Sequence, residues 1–313
     1  MLFNVCALYI KIMNNENQTI HKSDDNLTIY GWNEKLNQLK QESIYSALAH
    51  GRVSIVHRTC YEVISGNGLF QCELTGNMMY GKSDDELPCT GDWVIFQPFD
   101  EHKGIIVDSL PRERTLYRKK SGTVADKQAI ASYVDKAFIV QSLDDNFNVR
   151  RVERFMVQIM EENISSVLVL NKADLDFDRQ SVEEQIKHIS SQIPVFFTSI
   201  HQLETIVRLR KSISEGETVV FVGSSGVGKS SLVNALCEKS VLLTSDISLS
   251  TGKGRHTSTR REMVLMDSSG VLIDTPGVRE FGLAIDNPDS LAEVLEISDY
   301  AELCRFKDCK HIN

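Results

Sequence analysis

Residues 218–237 read Thr-Val-Val-Phe-Val, then Gly-Ser-Ser-Gly-Val-Gly-Lys-Ser, then Ser-Leu-Val-Asn-Ala-Leu-Cys. A strand-like apolar run, a glycine-rich loop and a helix-like run follow one another with no spacer, and few folds can use that order. The loop, Gly223, Ser224, Ser225, Gly226, Val227, Gly228, Lys229 and Ser230, fits G-x-x-x-x-G-K-[ST] at every fixed position, and Ser231 leads into the helix. Glycines let the backbone wind tightly and turn its N–H groups onto an anion at a helix N-terminus. Lys229 would then reach the β- and γ-phosphates of a nucleotide, and Ser230 would hold Mg²⁺. A merely structural glycine turn needs neither the lysine nor the serine.

The surrounding pattern supplies a matching scaffold. Apolar runs at 137–143, 166–170, 194–198, 218–222, 263–266 and 270–273 are candidate buried strands. Between the first two, Val152, Phe155, Met156, Ile159 and Met160 recur at helical spacing, which predicts an amphipathic helix whose two methionines pack in the core. Alternating strands and helices predict an α/β domain with a mostly parallel sheet covered on both faces.

Three further elements fall at strand ends. Asn171-Lys172-Ala173-Asp174 follows the run Ser-Val-Leu-Val-Leu. An N-K-x-D group in that place reads guanine: the Asp174 carboxylate accepts from the ring N1–H and the 2-amino group, a donor pair adenine lacks. Thr198-Ser199-Ile200 ends another strand and is expected to support the guanine O6 through a backbone N–H. Asp274-Thr-Pro-Gly277 ends a third. There Asp274 would bind Mg²⁺ through water, and the Gly277 amide would sense the γ-phosphate. The segment 251–262, dense in Gly, Thr and basic residues, has the character of a switch. Thr257 is its best candidate for a Mg²⁺ and γ-phosphate contact, with Thr259 second. The usual order of these elements is phosphate loop, switch, D-x-x-G, N-K-x-D. Here N-K-x-D comes first and D-x-x-G last, so the domain is circularly permuted, which a fold tolerates when the new termini fall in a surface connection.

The remaining chain bounds the rest of the reading. At 313 residues it suggests two domains, or one with appendages. Residues 1–30 are apolar at the start, then polar and Asn-rich, and read as a poorly ordered extension rather than a signal peptide. From 52 to 109, five short runs rich in Val, Ile, Phe and Trp predict a small β-barrel or a five-stranded meander. The next segment, 111–120, holds Arg112, Arg114, Arg118, Lys119 and Lys120 against Glu113 alone. It reads either as a solvated linker or as an RNA contact within a protein of net charge −9. The apolar runs are far short of the ~20 residues a membrane helix needs. Seven scattered cysteines without a secretory signal make no disulfide framework.

Taken together, the motifs GDWV (91–94), LPRERTLYRK (110–119), NKADL, GSSGVGKSSLVNAL, GRHTSTRRE and DTPGVREFGL resemble the circularly permuted GTPases of small ribosomal subunit biogenesis, the RsgA (YjeQ-type) family, over roughly residues 30–311. The resemblance implies an OB-fold RNA-binding domain (31–115), a permuted GTPase domain (116–285) and a zinc-binding segment (286–313). It implies GTP and GDP as ligands, and the small ribosomal subunit with its rRNA as partner. It also implies a cytoplasmic monomer with no membrane, and GTP hydrolysis that is slow alone and stimulated by the subunit. Cys304, Cys309 and His311 match the first three zinc ligands of the family. The fourth, a Cys a few residues further on, has no counterpart before Asn313, so the site is expected to be truncated or incomplete. Val278 stands where Ras-like enzymes carry a water-orienting Gln, and His256 is the family's candidate for that task. Lys229 and Thr257 complete the expected catalytic set. The competing expectation is a GTP-dependent rRNA-binding module with vestigial hydrolysis.

Overall fold

The computed structural model describes residues 26–81, 83, 85–119, 127–237, 261–266 and 270–274. Within them, the alternating segments of the first half close into a barrel. Strands β1 (Ala49–Val56), β2 (Tyr61–Ser65), β3 (Gly68–Leu74), β4 (Trp93–Asp100) and β5 (Lys103–Ser109) bond in the order β1-β2-β3-β5-β4. β4 then returns to β1 from Ala49↔Phe96 to Arg52↔Trp93, which decides for the barrel over the meander. The inward set (Val53, Val63, Phe70, Cys72, Val94, Phe96 and Ile106) takes every second position along its strands, as the period of two requires. The short helix α2 (Gly76–Gly81) lies between β3 and β4. Helix α1 (Glu34–Glu42) precedes the barrel. It begins where the Asn33 side chain accepts the Leu36 N–H at 3.1 Å, one of the orphan donors of a first turn. Leu27, Trp32 and Leu36 pack with Trp93, Ile95 and Leu110 in a second barrel-side core. Leu27, which falls in the stretch expected as a loose lead-in, is therefore part of the packed structure.

The second half carries β8 (Lys136–Ser142), β9 (Ser165–Asn171), β10 (Val195–Thr198), β11 (Thr218–Val222), β12 (Glu262–Leu265) and β13 (Val271–Asp274). Their order is β10-β9-β8-β11-β13-β12, parallel except for the antiparallel β12. Successive crossovers β8→β9→β10 run in one direction. They place α3 (Val149–Glu161), α4 (Arg179–Gln185) and α5 (Lys187–Ser190) on one face, where Val152, Phe155, Met156, Ile159, Val182 and Ile189 are buried. The chain then reverses direction, and α6 (Leu203–Lys211) and α7 (Lys229–Cys237) cover the other face through Ile206, Leu209, Leu232 and Leu236. Met160 corrects the expected helix stripe: it is 43% exposed while Val157 is buried. Angle alone does not separate them, since Val157 stands farther round the helix from Val152 than Met160 does. Met160 sits in the last turn, one residue before the helix ends at Glu161.

Two features join the halves. Ile55 of β1 pairs with Glu262 of β12, so barrel and α/β sheet form one eleven-stranded hydrogen-bonded array. The connection 110–115 leads from β5 into a hairpin of β6 (Leu116–Lys119) and β7 (Lys127–Ala131). Its arginines turn inward. The Arg112 Nη2 donates to the buried Asp92 at 2.7 Å, and Arg114 pairs with Asp135 at 3.0 Å. In the hairpin, Arg118 donates to Gln128 at 2.9 Å. Two of the five positive charges read in this segment, those of Arg112 and Arg114, are thus matched by carboxylates within the protein.

Candidate nucleotide-binding site

The expected site residues on β9, β10, β11 and β13 converge on one edge of the sheet, the carboxyl ends of its parallel strands. The reversal of winding falls between β8 and β11, where open α/β sheets take their ligands. Gly223 follows β11. Asn171 closes β9, level with Ser142 of β8 on one side and Thr198 of β10 on the other. Asp274 closes β13, one residue beyond the Val220↔Ile273 pair that aligns β13 with β11.

The loop 223–228 is wound by glycines at positive φ: Gly223 at 144°, Gly226 at 82° and Gly228 at 94°. A Cβ on Gly223 would stand 2.4 Å from the Val140 carbonyl oxygen, so only glycine lets the loop pass this close to β8. Val227 is fully buried and anchors the loop in the core, while Ser225, Gly226, Ser230 and Ser231 stay exposed and Ser224 is half-buried. Lys229 folds back over the loop, its ammonium donating to the Gly223 and Ser224 carbonyls at 2.6 Å each. That places the cation at the mouth of the loop, where phosphate charge would be met.

Asn171 ties the loop to the base-reading motif. Its Nδ2 donates to the Val227 carbonyl at 2.9 Å, and its Oδ1 accepts from the Thr198 hydroxyl at 3.2 Å. The amide orientation is set by that pair, since a carbonyl can only accept. Asn171 is therefore a brace between loop and base site, buried at 4% exposure. Asp174, in contrast, is exposed. The Ser199 hydroxyl donates to its Oδ1 at 2.5 Å and holds the carboxyl below its usual range, so it is presented as an acceptor. Ser199 accepts the His201 N–H at 3.0 Å, and its own N–H goes to Thr205 Oγ1 at 3.0 Å. In this structure the Ser199 N–H is thus taken by Thr205, and its hydroxyl serves Asp174. Lys172, at φ 61°, donates to Asp144 Oδ2 at 2.7 Å. Sequence reasoning passed over Asp144 and Thr205, since neither belongs to a motif. The one available signal was that Asp144 follows a strand on the loop edge.

Ser230 and Asp274 offer a hydroxyl and a carboxylate oxygen on this edge, the hard donors Mg²⁺ takes alongside substrate phosphates. Among the described residues no three His, Cys, Asp or Glu side chains gather as a metal cage. His256, Thr257, Thr259, Gly277, Val278, Cys304, Cys309 and His311 lie outside the described residues. No described helix is long and apolar enough to cross a membrane.

Comparison with known proteins agrees with this geometry. The family model described as RsgA GTPase matches residues 109–284. A protein of Bacteroides thetaiotaomicron named small ribosomal subunit biogenesis GTPase RsgA 1 is 73% identical over 301 residues, covering 96% of this chain and 83% of its own. A Methanosarcina acetivorans protein named small ribosomal subunit biogenesis GTPase RsgA is 37% identical over 312 residues, covering 96% and 82%. Among solved structures, YjeQ from Thermotoga maritima superposes with a TM-score of 0.61 at 24% identity, over 85% of this chain and 87% of that one. YloQ, described as a circularly permuted GTPase, gives 0.59 at 20% identity, over 87% and 86%. These two likenesses bear on the fold.

Proposed function

The chain belongs to the RsgA GTPase family, and from that premise we propose that it hydrolyses GTP at the β9–β10–β11 loop edge in the course of small ribosomal subunit biogenesis in the cytoplasm. The observation that carries the site assignment is the Asn171 brace. An N-K-x-D residue donates at 2.9 Å to a phosphate-loop carbonyl 56 positions away, so one ligand would span both motifs. Gly223–Ser230 and Lys229 would hold the phosphates, Asp174 the guanine edge, and Ser230, Thr257 and Asp274 the Mg²⁺. The ion, when bound, neutralises charge on the β- and γ-phosphate oxygens. A water attacks the γ-phosphorus, the bond to the β-phosphate oxygen breaks, and GDP and phosphate leave. An aliphatic Val278 cannot orient that water by hydrogen bonding, so we assign the task to His256, with Thr257 and Gly277 sensing the γ-phosphate. Cys304, Cys309 and His311 would supply three of the four sulfur and nitrogen ligands that a structural zinc site takes. The barrel and the basic segment 111–120 are the surfaces assigned to rRNA.

Two measurements test this reading. Asp174→Asn should weaken GTP and GDP binding by about 100-fold and shift preference toward xanthine nucleotides, whose 2-oxo group accepts from the new amide. Calorimetric titrations showing an unchanged guanine preference would remove Asp174 from base recognition. Turnover should be slow alone and rise on adding purified small ribosomal subunits, with the stimulation falling steeply with salt because phosphate contacts release counterions. His256→Ala should keep GTP affinity and subunit binding while losing most of the stimulated rate. If the wild type shows no stimulation at low salt, the protein is instead a GTP-dependent rRNA-binding module. If His256→Ala fails to bind the subunit, His256 is a docking residue.

A further inference from the structure

Asp144 lies two residues beyond the end of β8 and belongs to none of the motifs that define the site. Its carboxylate nevertheless has a full set of local partners. Oδ1 accepts from the Ser142 hydroxyl at 2.7 Å and from the Asn146 N–H at 3.0 Å, and Oδ2 accepts from the Lys172 ammonium at 2.7 Å. The backbone repeats the connection, since the Leu143 N–H donates to the Asn171 carbonyl at 2.9 Å. The β8 and β9 loops are thereby joined twice, once through the main chain and once through an ion pair. Burial alone would push the Asp144 carboxyl up, but the Lys172 and Ser142 hydrogen bonds and the Asn146 amide outweigh it and hold it at about 2. The Asp144 carboxylate is therefore ionised across the neutral range.

Lys172 needs such a partner for two reasons. Its backbone sits at φ 61°, a region disfavoured for a residue with a Cβ, so the turn persists only where its surroundings hold it. Its ammonium also stands only two positions from Asp174, the exposed carboxylate that must stay open to a base. Asp144 takes the ammonium, and Asp174 takes the Ser199 hydroxyl at 2.5 Å. Ser142 and Asn146 fix the Asp144 oxygens in advance, so the acceptor is in place before any ligand arrives.

We propose that Asp144 is a positioning residue for base recognition: it captures the Lys172 ammonium at the end of β8, fixes Lys172 beside the base site and keeps that cation off Asp174. This rests on the reading of Asn171–Asp174 as the guanine-binding element. Asp144 itself touches neither base nor phosphate and acts through Lys172. Its loss should therefore be felt in base affinity and leave the phosphate loop as it was.

The experiment compares Asp144→Ala, Asp144→Asn, Asp144→Glu, Lys172→Ala and the Asp144→Ala/Lys172→Ala double variant in the full chain. It measures GDP affinity by calorimetry, pyrophosphate affinity by competition as a phosphate-only probe, and thermal melting. Asp144→Ala and Asp144→Asn should each weaken GDP about tenfold, with pyrophosphate unchanged within about twofold. Asp144→Glu should recover most of the loss. The double variant should bind GDP no more weakly than Lys172→Ala, because the two side chains act as one unit. Losses that multiply in the double variant overturn the proposal, as does a parallel fall of GDP affinity, pyrophosphate affinity and melting temperature, which marks a structural role only. The Asp174→Asn titration separates the two readings. If it shifts base preference while Asp144→Ala binds GDP normally, only the role of Asp144 falls. If Asp174→Asn leaves preference untouched, the base-site reading fails and takes this proposal with it.

Discussion

Gly228→Ala should abolish nucleotide binding, lowering affinity for GTP and GDP alike by about 100-fold or more, in a protein that still folds. A Cβ at this position would stand 2.3 Å from Asn171 Nδ2, and the φ of 94° is itself unfavourable to alanine. The encounter is with the end of a side chain, which in another place could swing aside at little cost. Asn171 cannot, because it is buried and held between the Val227 carbonyl and the Thr198 hydroxyl. Either the amide leaves, orphaning two buried partners, or the loop lifts and its amides lose their aim. Each course undoes the brace between phosphate and base. The folding cost should stay near 1–3 kcal/mol, that of buried polar groups left unpaired. Lys229→Ala makes the control: it removes a phosphate contact and leaves the brace, so its loss should be the same whatever the base. Calorimetry with GDP and thermal melting on both variants decides the matter. GDP affinity within about threefold of wild type in Gly228→Ala would show that the brace is dispensable.

What could be read without coordinates followed from local order. The loop 223–230 announces itself because phosphate binding needs glycines, a lysine and a serine at fixed spacing on one short segment. Asn171–Asp174 and Asp274 are legible because a sheet edge demands that such residues directly follow strands. The reversed order of the motifs was equally plain, and the sheet order around β11 agrees with it. Pairings between distant segments carry no such signal. Closure of the barrel depends on β1 meeting β4, and the joining of the two halves on Ile55 meeting Glu262, 207 positions apart in number. Nothing periodic records either. The sharing of charges was hidden for the same reason. A count of arginines in 111–120 reports their sign but not their partners, and Asp92, Asp135 and Gln128 all lie outside that segment. Asp144 escaped notice because its role is set by which loop sits beside it. Met160 shows the limit of helical spacing, which finds a stripe but not its margin.

The most destabilising single change in the barrel half should be Asp92→Ala. The Asp92 carboxylate has no solvent exposure, and it accepts from the Cys89 N–H at 2.7 Å, from Arg112 Nε at 3.0 and 3.1 Å and from Arg112 Nη2 at 2.7 Å. Arg112 also donates to the Asp85 and Leu87 carbonyls, so one guanidinium ties the loop before β4 to the connection leaving β5. Burial works against its charge, and Asp92 more than restores it, raising the guanidinium above its ordinary value. Removing the carboxylate would leave a mostly buried cation and an amide unmatched, a loss of about 3–5 kcal/mol. Arg112→Lys, with Asp92 kept, should also destabilise, because an ammonium cannot reproduce a two-nitrogen fork and two carbonyl contacts together. Asp92→Leu with Arg112→Met should cost less than Asp92→Ala alone, since no charge is then stranded in the interior. Urea midpoints on the four proteins test this, with nucleotide affinity as the companion measurement. A loss below about 1 kcal/mol in Asp92→Ala would mean that water reaches the pair, and that the arginines of this connection stand free to serve the RNA surface first read from their charge.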